Sequence, residues 1–272
     1  MPQNYTTALE WYRKAADQGL AVAQGKIGEI YADGRGVPQD YAAAMKWYRL
    51  AADQGLAAAQ HNLGVMYEEG RGVPQDYAEA MKWYRKAADQ GFAEAQINLG
   101  GMYVDGRGVP PDSVEAVKWY RLAADQGYAG AQYNLGALYS NGRGVPQDDV
   151  EAVKWYRLAA DQGFALAQGD LGKMYLTGRG GPQDDIEAAK WFRRAADQGN
   201  ADAQRNLGAM YADGKGVDQD DVQGLFWSEL AAMQGIAGAQ TNRDLLAARM
   251  TPAQIAEAEE LARRWKPKAE TQ

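Results

Sequence analysis

The residues that most often carry catalysis are scarce in this chain of 272 residues. It has one histidine, His61, no cysteine, and three serines, Ser113, Ser140 and Ser228. No serine is followed by lysine three residues later, so the Ser-x-x-Lys arrangement of a nucleophile and its base is absent. A single histidine cannot form a His-x-x-x-His metal pair, and without cysteine there is no thiolate ligand. The sequence therefore predicts no enzymatic activity, no metal and no cofactor.

Composition argues against several further classes. The net charge of −7 disfavours non-specific binding to nucleic acid. No apolar run approaches the length needed to span a membrane, so no membrane insertion is expected. Hydrophobic residues make up 46% of the chain, enough to bury a core. The compartment stays open: cytoplasmic, or periplasmic or secreted if a signal peptide has been removed.

A repeat of 36 residues organises most of the chain. Three residue types show this interval without a single insertion: Trp11, Trp47, Trp83, Trp119, Trp155, Trp191 and Trp227; Gly19, Gly55, Gly91, Gly127, Gly163, Gly199 and Gly235; and Tyr31, Tyr67, Tyr103, Tyr139, Tyr175 and Tyr211. Such a period is typical of arrays in which each unit packs on its neighbours. We expect one array over residues 1–250, with about six and a half repeats.

One repeat, residues 92–127, shows what the pattern predicts. Apolar residues at helical spacing are Phe92, Ala95, Leu99, Met102 and Tyr103, and then Ala116, Trp119, Tyr120 and Ala123. Gly106 and Pro110 end the first run, because glycine suits a left-handed helix cap and proline cannot continue a helix. Asp112 and Glu115 form a capping-box pattern that begins the second run. Each repeat is therefore expected to be two antiparallel helices.

A glycine inside each first helix indicates a close approach between helices. These glycines are Gly28, Gly64, Gly100, Gly136, Gly172 and Gly208. A glycine within a helix costs about 1 kcal/mol relative to alanine. We expect a bulky ring, the tryptophan of the second helix, to fill the space beside it.

The array is expected to end differently from its middle. After Trp227 the pattern weakens, and a capping helix is predicted over residues 251–265. Thr251 suits the N-cap of this helix and Pro252 its first turn. Residues 266–272 are predicted to form a disordered tail.

At the other end, a helix is expected from about Tyr5 without a capping helix before it. Either an upstream segment is missing, or this end is open to self-association around Ala8, Leu9 and Tyr12. A homo-oligomer formed through this end is therefore a possible assembly.

The repeat motif resembles that of a known family. Its residues 95–103, Ala-Gln-Ile-Asn-Leu-Gly-Gly-Met-Tyr, with Gly-Arg-Gly-Val at 106–109 and Ala-Val-Lys-Trp-Tyr-Arg-Leu-Ala-Ala at 116–124, are similar to the Sel-1-like repeat, a 36-residue relative of the tetratricopeptide repeat. The resemblance covers residues 5–249 and implies an all-α, right-handed α/α superhelical solenoid. It also implies protein binding, because the family is associated with adaptor roles in bacterial envelopes, host contact and eukaryotic protein quality control.

Positions that differ between repeats indicate where a ligand could bind. Core positions must repeat, whereas four variable columns of the first helix lie at spacings that share one helix face. In tetratricopeptide arrays, which this chain resembles, that face lines a concave groove. The predicted peptide-binding groove consists of Ala58, His61, Asn62, Val65, Glu94, Ile97, Asn98, Gly101, Tyr133, Asn134, Ala137, Leu166, Lys173, Arg205 and Asn206. The alternative is that this face is exposed to solvent and binds nothing, and that its residues vary without consequence for function.

Within this groove, Ile97 and Tyr133 are predicted to be apolar anchors, and His61, Lys173 and Arg205 to set its polarity. His61 is also the expected pH-sensitive group, because an unperturbed histidine titrates near 6.5. The column of Asn62, Asn98, Asn134 and Asn206 could hold a peptide backbone, since each amide both donates and accepts. Hydrogen bonding between helices of the scaffold is the alternative for that column.

Cations close each first helix: Arg35, Arg71, Arg107, Arg143, Arg179 and Lys215. We expect them to interact with the carbonyl groups at the helix ends. On the second helix, Arg49 and Asp53 are four residues apart, as are their equivalents in other repeats, and they are expected to form surface ion pairs.

The predicted function is therefore non-catalytic binding of a protein or peptide. One alternative is a structural module that self-assembles through its N-terminal end. More remote alternatives are a glycan or cell-wall binder, because aromatic rings stack on sugars, and a hydrolase like the cysteine-rich relatives described as β-lactamase-like. This chain lacks the cysteines of those relatives.

Overall fold

The computed structural model describes residues 5–268, and all regular secondary structure in that range is helical. The helices are α1 (Tyr5–Ala16), α2 (Ala21–Asp33), α3 (Tyr41–Asp53), α4 (Ala57–Glu69), α5 (Tyr77–Asp89), α6 (Ala93–Asp105), α7 (Ser113–Asp125), α8 (Ala129–Asn141), α9 (Asp149–Asp161), α10 (Ala165–Thr177), α11 (Asp185–Asp197), α12 (Ala201–Asp213), α13 (Asp221–Met233), α14 (Ala239–Ala247) and α15 (Pro252–Arg264). Within the described range, none of them is long and apolar enough to cross a membrane. The predicted all-α class is confirmed.

The chain divides into two compact units, one ending at Gly127 and the other beginning at Tyr128. In both units a first helix is followed by a second helix of equal length. The first helices are α2, α4, α6, α8, α10 and α12, and the second helices are α3, α5, α7, α9, α11 and α13. Each of these twelve helices has 13 residues.

The same local signals begin and end these helices. First helices end at a glycine in the left-handed conformation, such as Gly106 with a φ of 71°. Second helices begin at an aspartate whose carboxylate accepts backbone N–H groups, as Asp112 does from Val114 and Glu115. The predicted capping box is only half formed, because the carboxylate of Glu115 pairs with Lys118.

An aromatic ring lies against the glycine inside the first helix. A Cβ added to Gly64 would lie 2.5 Å from Cδ1 of Tyr84, whose side chain is fully buried. The prediction that tryptophan fills this space is wrong. Trp83 is adjacent in sequence, but successive helical side chains point about 100° apart. The same contact joins Gly28 to Tyr48, Gly100 to Tyr120, Gly136 to Tyr156 and Gly172 to Phe192.

The tryptophan of a second helix instead makes a cation–π contact with an arginine of the preceding second helix. The guanidinium of Arg49 lies 4.7 Å from the ring centroid of Trp83 and donates to the hydroxyl of Tyr67 at 2.9 Å. Arg49, predicted to pair with Asp53, thus contacts aromatic residues of other helices. The equivalent Arg193 does lie 3.4 Å from the carboxylate of Asp197. The same cation–π contact joins Arg85 to Trp119 and Arg193 to Trp227. These contacts tie successive second helices together.

A ladder of buried glutamines, which the sequence analysis missed, also links the helices. The amide of Gln60 donates to the carbonyl of Ala52 at 3.1 Å and accepts from Gln90 at 2.7 Å. Equivalent glutamine pairs are Gln54–Gln24, Gln126–Gln96, Gln162–Gln132, Gln198–Gln168 and Gln234–Gln204. Because a buried amide must be hydrogen-bonded, the ladder fixes the register of a first helix against the second helices beside it.

The C-terminal helix α15 packs on α13, and Thr251 is its N-cap. Of the tail predicted to be disordered, residues 269–272 lie outside the described residues. The backbone N–H of Lys268 donates to the carbonyl of Asp197 at 2.8 Å, and its ammonium group to the carboxylate of Asp197 at 2.6 Å.

Gly64→Ala is expected to lower the free energy of unfolding by about 1–3 kcal/mol, because the added methyl overlaps the buried ring of Tyr84. This effect outweighs a gain of about 1 kcal/mol in helix propensity. The matched control is Gly130→Ala, since a Cβ there meets no atom within 4 Å. It should raise stability by about 0.5–1 kcal/mol. Urea unfolding followed by circular dichroism measures both, and equal effects would contradict the close-contact explanation.

Candidate functional site

The side chains that could take part in catalysis lie on separate helices. His61 lies on α4 and Ser113 begins α7, whereas Ser140 and Ser228 are buried on α8 and α13. The hydroxyl of Ser140 accepts a hydrogen bond from Arg179 at 3.1 Å. Among residues 5–268, no group of three or more acidic or histidine side chains is placed to hold a metal ion. The candidate site is the face of the first helices that the sequence analysis singled out.

Both units present residues predicted for the groove. Ala58, His61, Asn62 and Val65 lie on α4; Glu94, Ile97, Asn98 and Gly101 on α6; Tyr133, Asn134 and Ala137 on α8; Leu166 and Lys173 on α10; and Arg205 and Asn206 on α12. None of them is buried: Glu94, Leu166 and Lys173 are exposed, and the others are half-buried. All are therefore positioned at the surface of the unit to which they belong.

Adjacent first helices within a unit lie side by side, so that their side chains pair. The amide nitrogen of Asn98 on α6 lies 3.2 Å from Nε2 of His61 on α4. The hydroxyl of Tyr133 on α8 donates to the carboxylate of Asp170 on α10, also at 3.2 Å. Both pairs join residues 37 positions apart. The repeat thus places equivalent contacts on equivalent helices.

His61 is half-buried against two rings of its own unit. Its ring centroid lies 5.6 Å from that of Tyr84 and 5.2 Å from that of Phe92. This burial lowers the pKa of His61 below its usual value, against the smaller opposing effect of a hydrogen bond with Asn62. The amide nitrogen of Asn98 is a donor, so this contact is a hydrogen bond in the tautomer whose Nε2 carries no proton. The neutral imidazole is the form that fits this site.

Tyr133 has the corresponding environment in the second unit. Its ring centroid lies 5.7 Å from that of Tyr156 and 5.3 Å from that of Phe164. Burial, together with the carboxylate of Asp170, raises the pKa of Tyr133 to about 12. Part of this ring therefore packs against residues of its own unit. The role of Tyr133 as an apolar anchor for a ligand stays a prediction.

The asparagine column has a structural task in the first unit. Asn62 is hydrogen-bonded to the hydroxyl of Tyr48, and Asn98 to that of Tyr84. These are the tyrosines that lie against the mid-helix glycines. For Asn62 and Asn98, hydrogen bonding within the scaffold is the favoured interpretation. Binding of a peptide backbone stays a prediction for the other two members of the column.

A carboxylate left out of the predicted groove lies on the same face. Glu68 accepts from the hydroxyl of Tyr84 at 2.6 Å and pairs with Arg107. Burial, followed by the hydrogen bond to Glu68, raises the pKa of Tyr84 far above its usual range. Arg107 was predicted to interact with the carbonyl groups that end α6, and it instead reaches α4. The sequence feature that could have predicted this pair is opposite charge at a separation of 39 residues.

Carboxylates are also the partners of other cations that close the first helices. These pairs are Arg35–Asp33, Arg71–Glu69, Arg179–Asp149 and Lys215–Asp213. Arg179 also donates to the carbonyl of Ser140 in the last turn of α8 at 3.1 Å, as expected of a cation at a helix end. For Arg35, Arg71 and Lys215 the interaction with helix carbonyls stays a prediction.

The two cations predicted to set polarity in the second unit are paired as well. Lys173 lies 2.9 Å from the carboxylate of Asp170, and Arg205 lies 3.6 Å from that of Asp202. Partly exposed pairs of this kind contribute about 0.2–1 kcal/mol each. They give this face local polarity with little net charge.

Helix pairs of one length, repeated with the same caps and the same ring-on-glycine contact, define a tandem helical-repeat protein. The Sel1 repeat profile matches residues 1–20, 21–56, 57–92, 93–128, 129–164, 165–200 and 201–236. The chain belongs to the Sel1 repeat family, as its motif resemblance predicted.

Several solved structures are similar to this chain. A Sel1 repeat protein from Oxalobacter formigenes is 35% identical, with a TM-score of 0.71 over 85% of this chain and 97% of that one. A protective antigen of uropathogenic Escherichia coli strains that displays an SLR fold is 30% identical, with a TM-score of 0.43 over 94% of this chain and 71% of that one. An immunity protein from Pseudomonas aeruginosa is 23% identical, with a TM-score of 0.44 over 84% and 82%. The last two similarities carry no argument about function. No curated protein matches the chain.

Acid is expected to weaken the first unit through His61. Because burial lowers the pKa of His61 in the folded chain, the unfolded chain binds more protons once the pH falls below about 6.5. The contribution of neutral His61 to stability is complete above that pH, and it is lost as the pH falls towards the pKa of the folded state. The variant His61→Gln keeps a neutral polar side chain and lacks this loss. Urea unfolding between about pH 7.5 and pH 5 should show wild type losing more stability than the variant. Parallel pH profiles would contradict this account.

Proposed function

We propose that this protein is a non-catalytic scaffold that binds a protein or peptide on the face formed by its first helices. Members of the Sel1 repeat family are typically protein-interaction scaffolds. One observation carries the proposal: on α4 and α6 the leucines that repeat are buried, whereas the side chains that vary lie at the surface. Leu63 and Leu99 are fully buried, and two residues earlier His61 and Ile97 are half-buried.

The chemistry of this face supports a peptide or helix as ligand. On α4 and α6 the aliphatic side chains of Val65 and Ile97 are only half-buried, and Gly101 leaves the backbone accessible. The paired charges of Glu68 and Arg107 lie on the same face. Apolar positions between fixed polar groups suit an extended peptide or an amphipathic helix better than a small polar ligand.

Selection from a displayed library of random peptides tests this proposal. Peptides selected on wild type should bind the variant Ile97→Asp, or the second-unit variant Leu166→Asp on the corresponding helix face, at least about tenfold more weakly. The matched control is Val150→Asp on the second helix α9, because Val150 is also an exposed aliphatic residue. It should leave binding unchanged. Circular dichroism would verify that each variant is folded. Equal binding by all three variants would exclude the first-helix face as the binding site.

A second candidate function is self-association through α1, and one observation favours it. Trp11 is 65% exposed, whereas Trp83 at the equivalent position is 3% exposed. Leu9, predicted to take part in self-association, is buried in the core, so that prediction is corrected to Trp11. Glu10 and Lys14 flank Trp11, and Nζ of Lys14 lies 4.7 Å from the ring centroid. Antiparallel pairing of two α1 helices would bring Glu10 of one copy near Lys14 of the other.

Charge reversal tests this self-association. Sedimentation should show a dimer of wild type that Glu10→Lys weakens at least about tenfold, because two lysines then face each other. The double variant Glu10→Lys/Lys14→Glu should restore the dimer. The control is Leu245→Glu, because Leu245 is equally exposed but lies on α14. A wild-type chain that stays monomeric at high concentration, or a double variant no better than the single one, would rule out this interface.

A further inference from the structure

In the loop after α10, Gly181 departs from the residue type that the other repeats have at this position. The equivalent residue in the other repeats is valine: Val37, Val73, Val109, Val145 and Val217. Val109 packs on the core cluster that contains Met81, and Val217 on the cluster that contains Ala189. The loop after α10 therefore lacks a side chain that covers the core elsewhere.

A cleft lies where this side chain is missing. It is lined by Val153 and Arg157 of α9, by Met174 and Tyr175 of α10, and by Arg179, Gly180, Gly181 and Pro182 of the loop. All of these residues belong to the second unit. Val153 is half-buried, whereas Ala189, its counterpart in the next repeat, is buried. The cleft is therefore an opening onto the apolar side of α9.

The backbone of Gly181 would accept a valine. Its φ is not positive, unlike that of the preceding Gly180. A Cβ added to Gly181 would meet no atom within 4 Å. Because Pro182 follows, this residue favours the extended conformations that β-branched side chains adopt readily. Backbone geometry therefore does not explain the glycine, which lines the cleft without a side chain of its own.

A cation borders this cleft. Arg157 is exposed, and its guanidinium lies 5.6 Å from the ring centroid of Tyr175. In the described part of the chain no carboxylate lies within ion-pair distance of Arg157. Arg179, on the opposite side, is already paired with Asp149 at 2.6 and 3.0 Å. Arg157 is thus the lining group that an added carboxylate would complement.

We propose that this cleft is a separate binding site for a peptide in which a valine-sized aliphatic residue is followed by aspartate or glutamate. The aliphatic side chain takes the place of the valine that this repeat lacks, and buries itself against Val153 and Met174. The acidic side chain pairs with Arg157. The site is built by α9 and the loop after α10, so it does not depend on the function proposed for the first-helix face.

Blocked dipeptides provide the probe for this site. The protein carries ¹³C-methyl methionine, and the methyl resonance of Met174, assigned with Met174→Leu, reports on the cleft. Acetyl-Val-Asp-amide should shift this resonance in a saturable way. Acetyl-Gly-Asp-amide, which lacks the aliphatic group, and acetyl-Val-Asn-amide, which lacks the charge, should bind at least about tenfold and threefold more weakly. Equal binding of the three ligands, or none by acetyl-Val-Asp-amide, would overturn the proposal.

The variant Gly181→Val separates binding from folding. It should abolish the response of Met174 while raising the urea midpoint, because the valine fills the cleft and restricts the unfolded chain. Arg157→Gln should weaken acetyl-Val-Asp-amide about threefold and leave acetyl-Val-Asn-amide unaffected. Gly130→Ala, which adds a methyl at another open glycine of the unit, and Leu166→Asp on the first-helix face should both bind like wild type. Binding that survives in Gly181→Val, or a lowered midpoint, would refute the proposed fit.

Discussion

In five of the repeats the ring of a tyrosine or phenylalanine lies directly on the backbone of a glycine in the neighbouring helix. This contact sets the distance between first and second helix, since no Cβ fits between them. It also places the hydroxyl of Tyr84 at the first-helix face, where Asn98 and Glu68 bind it. Core packing therefore decides which polar groups of the candidate face are already engaged, and which remain for a ligand.

Most of the fold is predictable because its signals are local. The left-handed glycine Gly106, the proline that follows it and the N-cap Asp112 act within a few residues, and the 36-residue period repeats them. What lies opposite Gly64 is not predictable in this way. Trp83 and Tyr84 are neighbours on one apolar side, and only the crossing of α4 and α5 selects between them. The buried glutamines were missed for a related reason. A polar residue within a helical hydrophobic pattern is normally assigned to the solvent-exposed side of the helix.

The candidate face was predictable as a face, but not as a set of contacts. Variation between repeats pointed to His61 and Tyr133, which are half-buried on α4 and α8. Their partners lie 37 residues away, so finding them requires the register between neighbouring first helices as well as the period. The same holds for the pair of Glu68 and Arg107. Which of these groups a ligand contacts depends on the chemistry of that ligand, which the chain alone does not encode.

The glutamine ladder has a consequence for how such a chain can change in length. The bonds of Gln60 to Ala52 and Gln90 recur, in matching form, at Gln96 and Gln168. If a gene lost or gained a segment of 36 codons, the new junction would bring together the same kinds of residue, and its hydrogen bonds could re-form. An insertion of another length within one of these helices would shift a buried amide away from its partners. The ladder thus makes the whole repeat the unit that can be gained or lost, and recombination can add or remove one helix pair at a time.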